Sequence, residues 1–584
     1  MVAMSDEAST AEARPAVPYA SARDLDRALH GWQARLTGGR SPSTLSLAFL
    51  DWFAQATNRP FQLSDHYASS AHQVERWWRI LSGDEAPLLP RPGDSRFSAP
   101  PWREAPFAQI VQAVLLSEQW WEGLVALPGG IAEHNRRILS FQLHQWLDLI
   151  SPSNNPGLNP EIIQATQTAG GANLLAGFSN FLRDMTKDER SGGDGLVLGR
   201  DLATTPGVVV FRNRMMELIQ YQAETTTVAK SPVLIVPAWI MKYYILDLSP
   251  HNSLVKWLVA QGHTVFMISW RNPDSSMHDV SLDEYRAEGV MAALDAVGRT
   301  CENAPVHLTG YCLGGTLAVI AAARMAAEGD HRLASLSLFA AQTDFSDAGE
   351  LQLFVSDDQL DFLADMMASQ GTLSAAQMGG AFQMLRPNEL IWSHIIRSYF
   401  LGERQATFDL MAWNADGTRL PARMHTEYLR SLYRHNDLAE GRFVAGARVL
   451  ALNDIQVPIF LVSTETDHIA PWRSVYKLHL LDDGPITFVL TSGGHNAGIV
   501  SEPGHPHRHY RVHDREAEGH TPGPDEWLAA VPMEEGSWWP EWHAWLARND
   551  AAAGGPAAGP PPRLGLPDTP PLAEAPGRYV LERS

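Results

Sequence analysis

Cys312 is framed by glycines. Gly310-Tyr311-Cys312-Leu313-Gly314-Gly315 joins the apolar run Val306-His307-Leu308-Thr309 to a helix-like run from Thr316 to Ala327. Strand, sharp turn and helix in that order raise the turn residue into a pocket, as in the G-x-S-x-G nucleophile elbow, here with cysteine at the nucleophile position. The flanking glycines let the backbone bend and let the helix approach the strand. A thiol at a helix N-terminus is set up for acyl transfer, because the positive helix end favours its thiolate.

A thiol nucleophile needs a base to take its proton and a carboxylate to orient that base. In α/β-hydrolase topology both follow the nucleophile, acid first and histidine second, each on a loop after a strand. Ile459 to Ser463 reads as such a strand and leads into Thr464-Glu465-Thr466-Asp467-His468, placing Asp467 just past its end. Ile486 to Thr491 leads into Ser492-Gly493-Gly494-His495, placing His495 in a glycine-rich loop. Glu465 and Asp482 are competing acids, less well placed after their strand, and His307 lies inside the strand before the elbow, where it packs. Each member alone has a bland reading: a small residue at a tight contact, a turn aspartate, a surface histidine. The order of the three is what carries the chemistry. An oxyanion hole would use the Leu313 N–H and a second N–H from Pro237-Ala238-Trp239-Ile240, with Ile240 favoured.

The elements around these residues fall into two patterns. From 21 to 195 the apolar spacing is helical: Leu25–Leu36, Thr44–Gln55, His72–Leu81, Phe107–Leu124 and Ala132–Ser151. The pairs Trp77-Trp78 and Trp120-Trp121 read as core aromatics. Ser191-Gly192-Gly193-Asp194-Gly195 marks the boundary. From 196 to 548 short apolar strands alternate with helices, which implies a mainly parallel sheet covered on both faces. The alternation is interrupted at about 343–445 by a helical, Met- and aromatic-rich insertion, read as a lid over the strand ends. The fold class expected is therefore α/β, an α/β-hydrolase fold with a lid insertion behind a mostly helical N-terminal domain. Residues 1–20 read as disordered, and 549–584 as a Pro/Ala-rich tail whose linker-like part ends in Tyr579-Val580-Leu581-Glu582-Arg583, which regains the character to dock.

Composition narrows the function classes. With 45 basic against 66 acidic residues, net −21, the chain is a poor non-specific nucleic-acid binder and carries no polybasic anchor. Two cysteines, Cys301 and Cys312, exclude a disulfide framework, and Cys301 reads as an inert thiol. No signal peptide and no apolar run of membrane-spanning length is read, so a soluble cytoplasmic chain is expected. No metal-ligand spacing and no G-x-G-x-x-G loop occurs, and no cofactor is expected.

Other stretches narrow the class further. Pro152-Ser153-Asn154, Thr205-Pro206-Gly207, Val210-Phe211-Arg212-Asn213, Tyr244-Ile245-Leu246-Asp247-Leu248, and Gly262-His263-Thr264-Val265-Phe266 through Ser269-Trp270-Arg271-Asn272-Pro273-Asp274, together with the G-x-C-x-G-G box, resemble the poly(3-hydroxyalkanoate) synthases, over about residues 70 to 545 plus the final Tyr579 to Arg583. The resemblance implies a class I enzyme, an acyltransferase that polymerises (R)-3-hydroxyacyl-CoA, with 3-hydroxybutyryl-CoA the expected monomer, and releases CoA. It implies Cys312 as nucleophile, His495 as general base, and Asp467 orienting His495 or activating the incoming hydroxyl. It also implies a homodimer attached to cytoplasmic polyester granules and granule-associated protein partners. A thioesterase or depolymerase with the same triad, and a non-catalytic granule-binding protein, are the alternatives.

Overall fold

The structure, a computed structural model, describes residues 21–583 except 38, 92, 187–195, 386, 405–407, 518 and 553–557. The stretch read as disordered (1–20) and the boundary turn 191–195 lie outside the described residues. The N-terminal region is helical: α1 (Ala22–Thr37), α2 (Pro42–Thr57), α3 (Pro60–Ser82), α4 (Phe107–Ala126), α5 (Glu133–Ile150), α6 (Pro160–Thr168) and α7 (Ala172–Thr186). Local chemistry sets the starts of several of these. Pro stands at the first turn of α2, α3 and α6, and the Asn159 side chain accepts from the Glu161 and Ile162 amides to cap α6. The tryptophan pairs are each split rather than both core. Trp77 and Trp120 are half-buried and donate to the Gln109 and His66 carbonyls across the α3–α4 contact, while Trp78 and Trp121 are exposed.

Eleven strands form the sheet: β1 (Gly207–Arg212), β2 (Met216–Tyr221), β3 (Val233–Val236), β4 (Val265–Trp270), β5 (Val306–Tyr311), β6 (Leu333–Phe339), β7 (Ile459–Thr464), β8 (Ile486–Thr491), β9 (His509–Arg515), β10 (Glu534–Glu535) and β11 (Ala573–Glu574). Their spatial order is β10-β9-β8-β7-β6-β5-β3-β4-β2-β1-β11. The six strands from β8 to β4 are parallel, and the flanking pairs are antiparallel. Val233-Leu234-Ile235-Val236 and its parallel neighbours are buried almost throughout, which explains why they read as unbroken apolar runs: helices cover both faces.

Between β6 and β7 the insertion folds as helices, among them Asp357–Gln370, Ala375–Leu385 and Ala422–Tyr428, with a short ribbon pairing Thr372–Leu373 with Leu420–Pro421. The N-terminal helices grip this insertion. His30 Nδ1 lies 2.9 Å from Asp365 Oδ2, the Ser41 amide donates to Gln359 Oε1 at 2.8 Å, and Thr44 Oγ1 donates to Asp358 at 2.6 Å. On α7, Asn173 and Asn180 donate to the Phe400 and Ser398 carbonyls.

In the tail, the stretch before Gly577 departs from its reading as a linker, while the last residues dock as their character suggested. Residues 573–574 pair with Val209 and Val208 as the edge strand β11, and Val580 is buried. Its anchor is Glu217 on β2, fully buried, which accepts from the Arg578 and Tyr579 amides at 2.8 and 2.9 Å and from Arg212 Nε at 2.7 Å. Removing this carboxylate leaves a buried guanidinium edge and two unpaired amides. Glu217→Ala is expected to cost about 3–5 kcal/mol, the range for breaking a buried charge pair, read as a drop in denaturation midpoint with faster proteolysis after residue 570.

Candidate active site

The elbow is built by close approach. A Cβ at Gly310 would lie 2.3 Å from Gly315 Cα, one at Gly314 would lie 2.1 Å from the Val236 carbonyl, and one at Gly315 would lie 2.4 Å from Ala341 Cβ. Only hydrogen fits at these three positions, so the helix Leu313–Glu328 sits directly against β3, β5 and the end of β6. Cys312 absorbs the turn with φ +53° and ψ −126°, and its amide donates to the Phe339 carbonyl at 2.8 Å. A non-glycine residue held in this region stores strain of order 1–3 kcal/mol, a feature concentrated at functional sites. Cys301 differs in every respect: it ends the helix Ala292–Thr300, and burial pushes its thiol up to about 12.

His495 and Asp467 meet beside Cys312. His495 Nδ1 is 2.7 Å from Asp467 Oδ2, both side chains are buried, and the Cys312 sulfur lies near enough to act on the ring. With Nδ1 on the carboxylate, Nε2 is the nitrogen left for sulfur. Asp467 is fixed from behind: Oδ1 accepts the Ile469 and Ala470 amides at 2.8 and 2.9 Å, and Oδ2 accepts Thr464 Oγ1 at 3.2 Å. Burial opposes the charge on both groups, yet His495 keeps the Asp467 carboxyl below its usual range. Asp467 and Cys312 in turn carry the His495 imidazole well above its ordinary value. The Tyr311 ring lies 5.7 Å from His495, and its hydroxyl donates to Asn496. The competing acids are engaged elsewhere, Glu465 with His509 and Asp482 on the Gly484 amide. His307 is buried inside the sheet against Ser335.

Leu313 and Ile240, the two residues expected to frame an oxyanion, line one cavity of ≈130 Å³. The Leu313 N–H is the first of its helix and has no carbonyl partner within it. The loop carrying Ile240 is pinned to the insertion, with Thr418 Oγ1 donating to the Trp239 carbonyl at 2.6 Å and the Thr418 amide to the Ile240 carbonyl at 3.2 Å. The insertion closes the cavity with residues the sequence reading did not place: His425, Tyr428 and Tyr433. Tyr428 stacks edge-on to Trp239 and, like Tyr433, feels the Cys312 sulfur. Burial drives the His425 imidazole down to about 4, so it is neutral, and its Nδ1 has no hydrogen-bond partner. His425 and Tyr428 lie on the helix Ala422–Tyr428 and Tyr433 on the helical segment Leu429–Arg434 after it, and spacing alone does not tell a wall of a cavity from a core. Among the described residues no group of three or more His, Cys, Asp or Glu is placed to hold a metal ion, and no helix is long and apolar enough to cross a membrane.

A mixed sheet with a parallel centre, an elbow after β5, and a carboxylate and a histidine just past the ends of β7 and β8, defines an enzyme of the α/β-hydrolase fold, and residues 231–501 match the alpha/beta hydrolase fold model. The more particular family follows from the remainder. Residues 93–258 match the poly-beta-hydroxybutyrate polymerase (PhaC) N-terminus, and residues 20–62 match the poly-beta-hydroxybutyrate polymerase N terminal model. A poly(3-hydroxyalkanoate) polymerase of Methylorubrum extorquens is 42% identical over 511 residues, covering 85% of this chain and 82% of the relative. A poly(3-hydroxyalkanoate) polymerase subunit of Rhizobium meliloti is 35% identical over 595 residues, covering 97% and 94%, and one of Cupriavidus necator is 33% identical over 562 residues, covering 95% and 94%. The chain belongs to the poly(3-hydroxyalkanoate) polymerase family of acyl-transferring enzymes.

The charge pairing around His495 has a sign that can be measured. A raised imidazole pKa stabilises the fold fully below the ordinary value near 6.5 and loses that contribution as pH rises through the raised one. Asp467→Asn removes one of the two charges that raise it. The His495 titration, followed by ring-proton NMR, is expected to move to lower pH, and the alkaline loss of stability expected of the native enzyme to flatten.

Proposed function

We propose that the chain polymerises (R)-3-hydroxyacyl-CoA, with 3-hydroxybutyryl-CoA as monomer, through a thioester on Cys312. His495 Nε2 holds the thiol proton as the Cys312 sulfur attacks the acyl carbonyl. The oxyanion forms against the Leu313 and Ile240 amides, and CoA leaves as its thiol with the proton returned by the imidazolium. The 3-hydroxyl of the next hydroxyacyl-CoA then gives its proton to His495 and attacks the thioester, forming an ester and freeing Cys312. The lengthened chain, now on CoA, acylates Cys312 again and releases that CoA. Asp467 holds the imidazole orientation and balances its charge in both halves.

The observation that carries this reading is the Cys312–His495–Asp467 arrangement, with Cys312 half-buried and both partners buried, beside a largely apolar cavity. Growth requires a hydroxyl to outcompete water, and walls such as Leu313, Met366, Leu373 and Tyr428 exclude water from the thioester. The ≈130 Å³ cavity is close to the ~150 Å³ that holds benzene in an engineered core. A 3-hydroxybutyryl group has the same number of heavy atoms as benzene, which supports the short monomer. Leu174, Leu175, Phe178, Phe181, Leu182 and Met185, exposed on α7, support contact with an apolar polyester granule. A homodimer and granule-associated partners are proposed from the resemblance alone, and the absence of a cofactor from the lack of metal-ligand spacing and of a G-x-G-x-x-G loop in the sequence.

Purified enzyme given (R)-3-hydroxybutyryl-CoA is expected to release CoA and deposit insoluble polyester, more slowly with the eight-carbon analogue. Cys312→Ala is expected to lower both by at least about a thousandfold, as loss of a nucleophile does elsewhere. Free hydroxyacid in place of polymer would reassign the enzyme as a thioesterase, and undiminished polymer from Cys312→Ala would remove the thiol from the chemistry.

A further inference from the structure

A second cavity, ≈380 Å³, lies between α1, α2 and α5 on one side and the turn Gly349–Phe354 of the insertion on the other. Leu45, Ile138, Phe141 and Leu353 make its walls apolar. It adjoins the cavity at Leu313 and Ile240, since Arg40, Phe354 and Gln359 line both. The two spaces thus lie in series, divided by three side chains, and the outer one is the larger.

Arg40 is the unusual member of that divide. Its guanidinium lies 5.7 Å from the ring centres of both Phe141 and Phe354, and Nη1 donates to Gln142 Oε1 at 3.2 Å. Nη2 is buried without a hydrogen-bond partner, and it is the buried polar side-chain atom in the outer cavity wall, among the described residues, left in that state. Among those residues no carboxylate stands within ion-pair distance, and burial lowers its pKa. Gln359 cannot serve in its place, being spent on the Ser41 amide and the Gly39 carbonyl. A buried donor left unmade is costly, so a ligand that brings an acceptor there is favoured. A polyester is such a ligand: its ester oxygens accept and nothing along its backbone donates, while its pendant alkyl groups suit apolar walls.

We propose that the outer cavity is the passage by which the growing polyester leaves the active site, with Arg40 Nη2 donating to an ester carbonyl of the chain as it passes between Phe141 and Phe354. The proposal rests on the reading that Cys312 carries a polyester, and it gives the N-terminal helices a direct part in elongation.

The test uses the full-length enzyme with (R)-3-hydroxybutyryl-CoA and measures polymer mass at a fixed amount of CoA released. Arg40→Met removes the donor and keeps an unbranched apolar stem. Leu45→Trp, at a partly exposed site on α2, narrows the passage without touching Arg40. Both are expected to give polymer several-fold shorter than the native enzyme's, as melts by circular dichroism verify folding. Native-length polymer from either folded variant overturns the passage. A higher KM for the acyl-CoA with polymer length unchanged in Arg40→Met assigns the guanidinium to the CoA phosphates and overturns it as well. Native enzyme making polymer while Cys312→Ala makes none tests the underlying reading separately, so the two failures are distinguishable.

Discussion

The contact between the helix Leu313–Glu328 and the strands beneath it is the constraint on which the rest depends. Gly310, Gly314 and Gly315 leave no room for a Cβ, and the helix they admit is buried along nearly its whole length. That packing holds Cys312 in a backbone conformation it would not choose alone, and the strain is small beside the apolar area the helix buries. Because the helix begins at Leu313, the thiol and the first free amide emerge at the same end. Everything else in the site, from the Asp467–His495 pair to the loop of Ile240, is arranged around that end.

The insertion and the N-terminal helices work as one cover. The sheet supplies the reacting groups, while the insertion supplies Tyr428, Tyr433 and His425 to the cavity wall. Hydrogen bonds from α1, α2 and α7 fall on the insertion, at Asp365, Gln359, Asp358, Phe400 and Ser398. Any opening of the cover therefore has to break or carry along contacts made some three hundred residues earlier in the chain, a coupling that a lid attached only at its own ends would not have.

The sequence made the central sheet legible because strands buried on both faces are mostly apolar, and Val233–Val236 and Ile486–Thr491 are buried at every residue and keep their expected bounds, the second with Thr487 and Thr491 among its apolar residues. His509–Arg515 escaped because an outer antiparallel strand needs no such run: His-Tyr-Arg-Val-His-Asp-Arg reads as loop, and pairing with β8 is what makes it strand. The helix over Pro60–Ser82 begins twelve residues before its expected start at His72, since its polar first turns carry little apolar periodicity. In the site, order along the chain pointed to Cys312, Asp467 and His495, which lie together in the fold, while Leu313 and Ile240 line one cavity. His425 and Arg40 could not be found that way: what distinguishes them is an unmet hydrogen bond inside a cavity, and that exists only once distant elements have met.

The seat of the last residues on β1 bears on how the catalytic unit can be handled. With Leu572 and Ala575 donating to the Val209 and Gly207 carbonyls, the final segment satisfies the outer row of β1. A fragment ended after residue 548, where the alternating pattern stops, would bare that row of carbonyls and amides. Unpaired strand edges recruit other chains, so such a fragment would be driven toward edge-to-edge association, with its chemistry intact and its solubility lost.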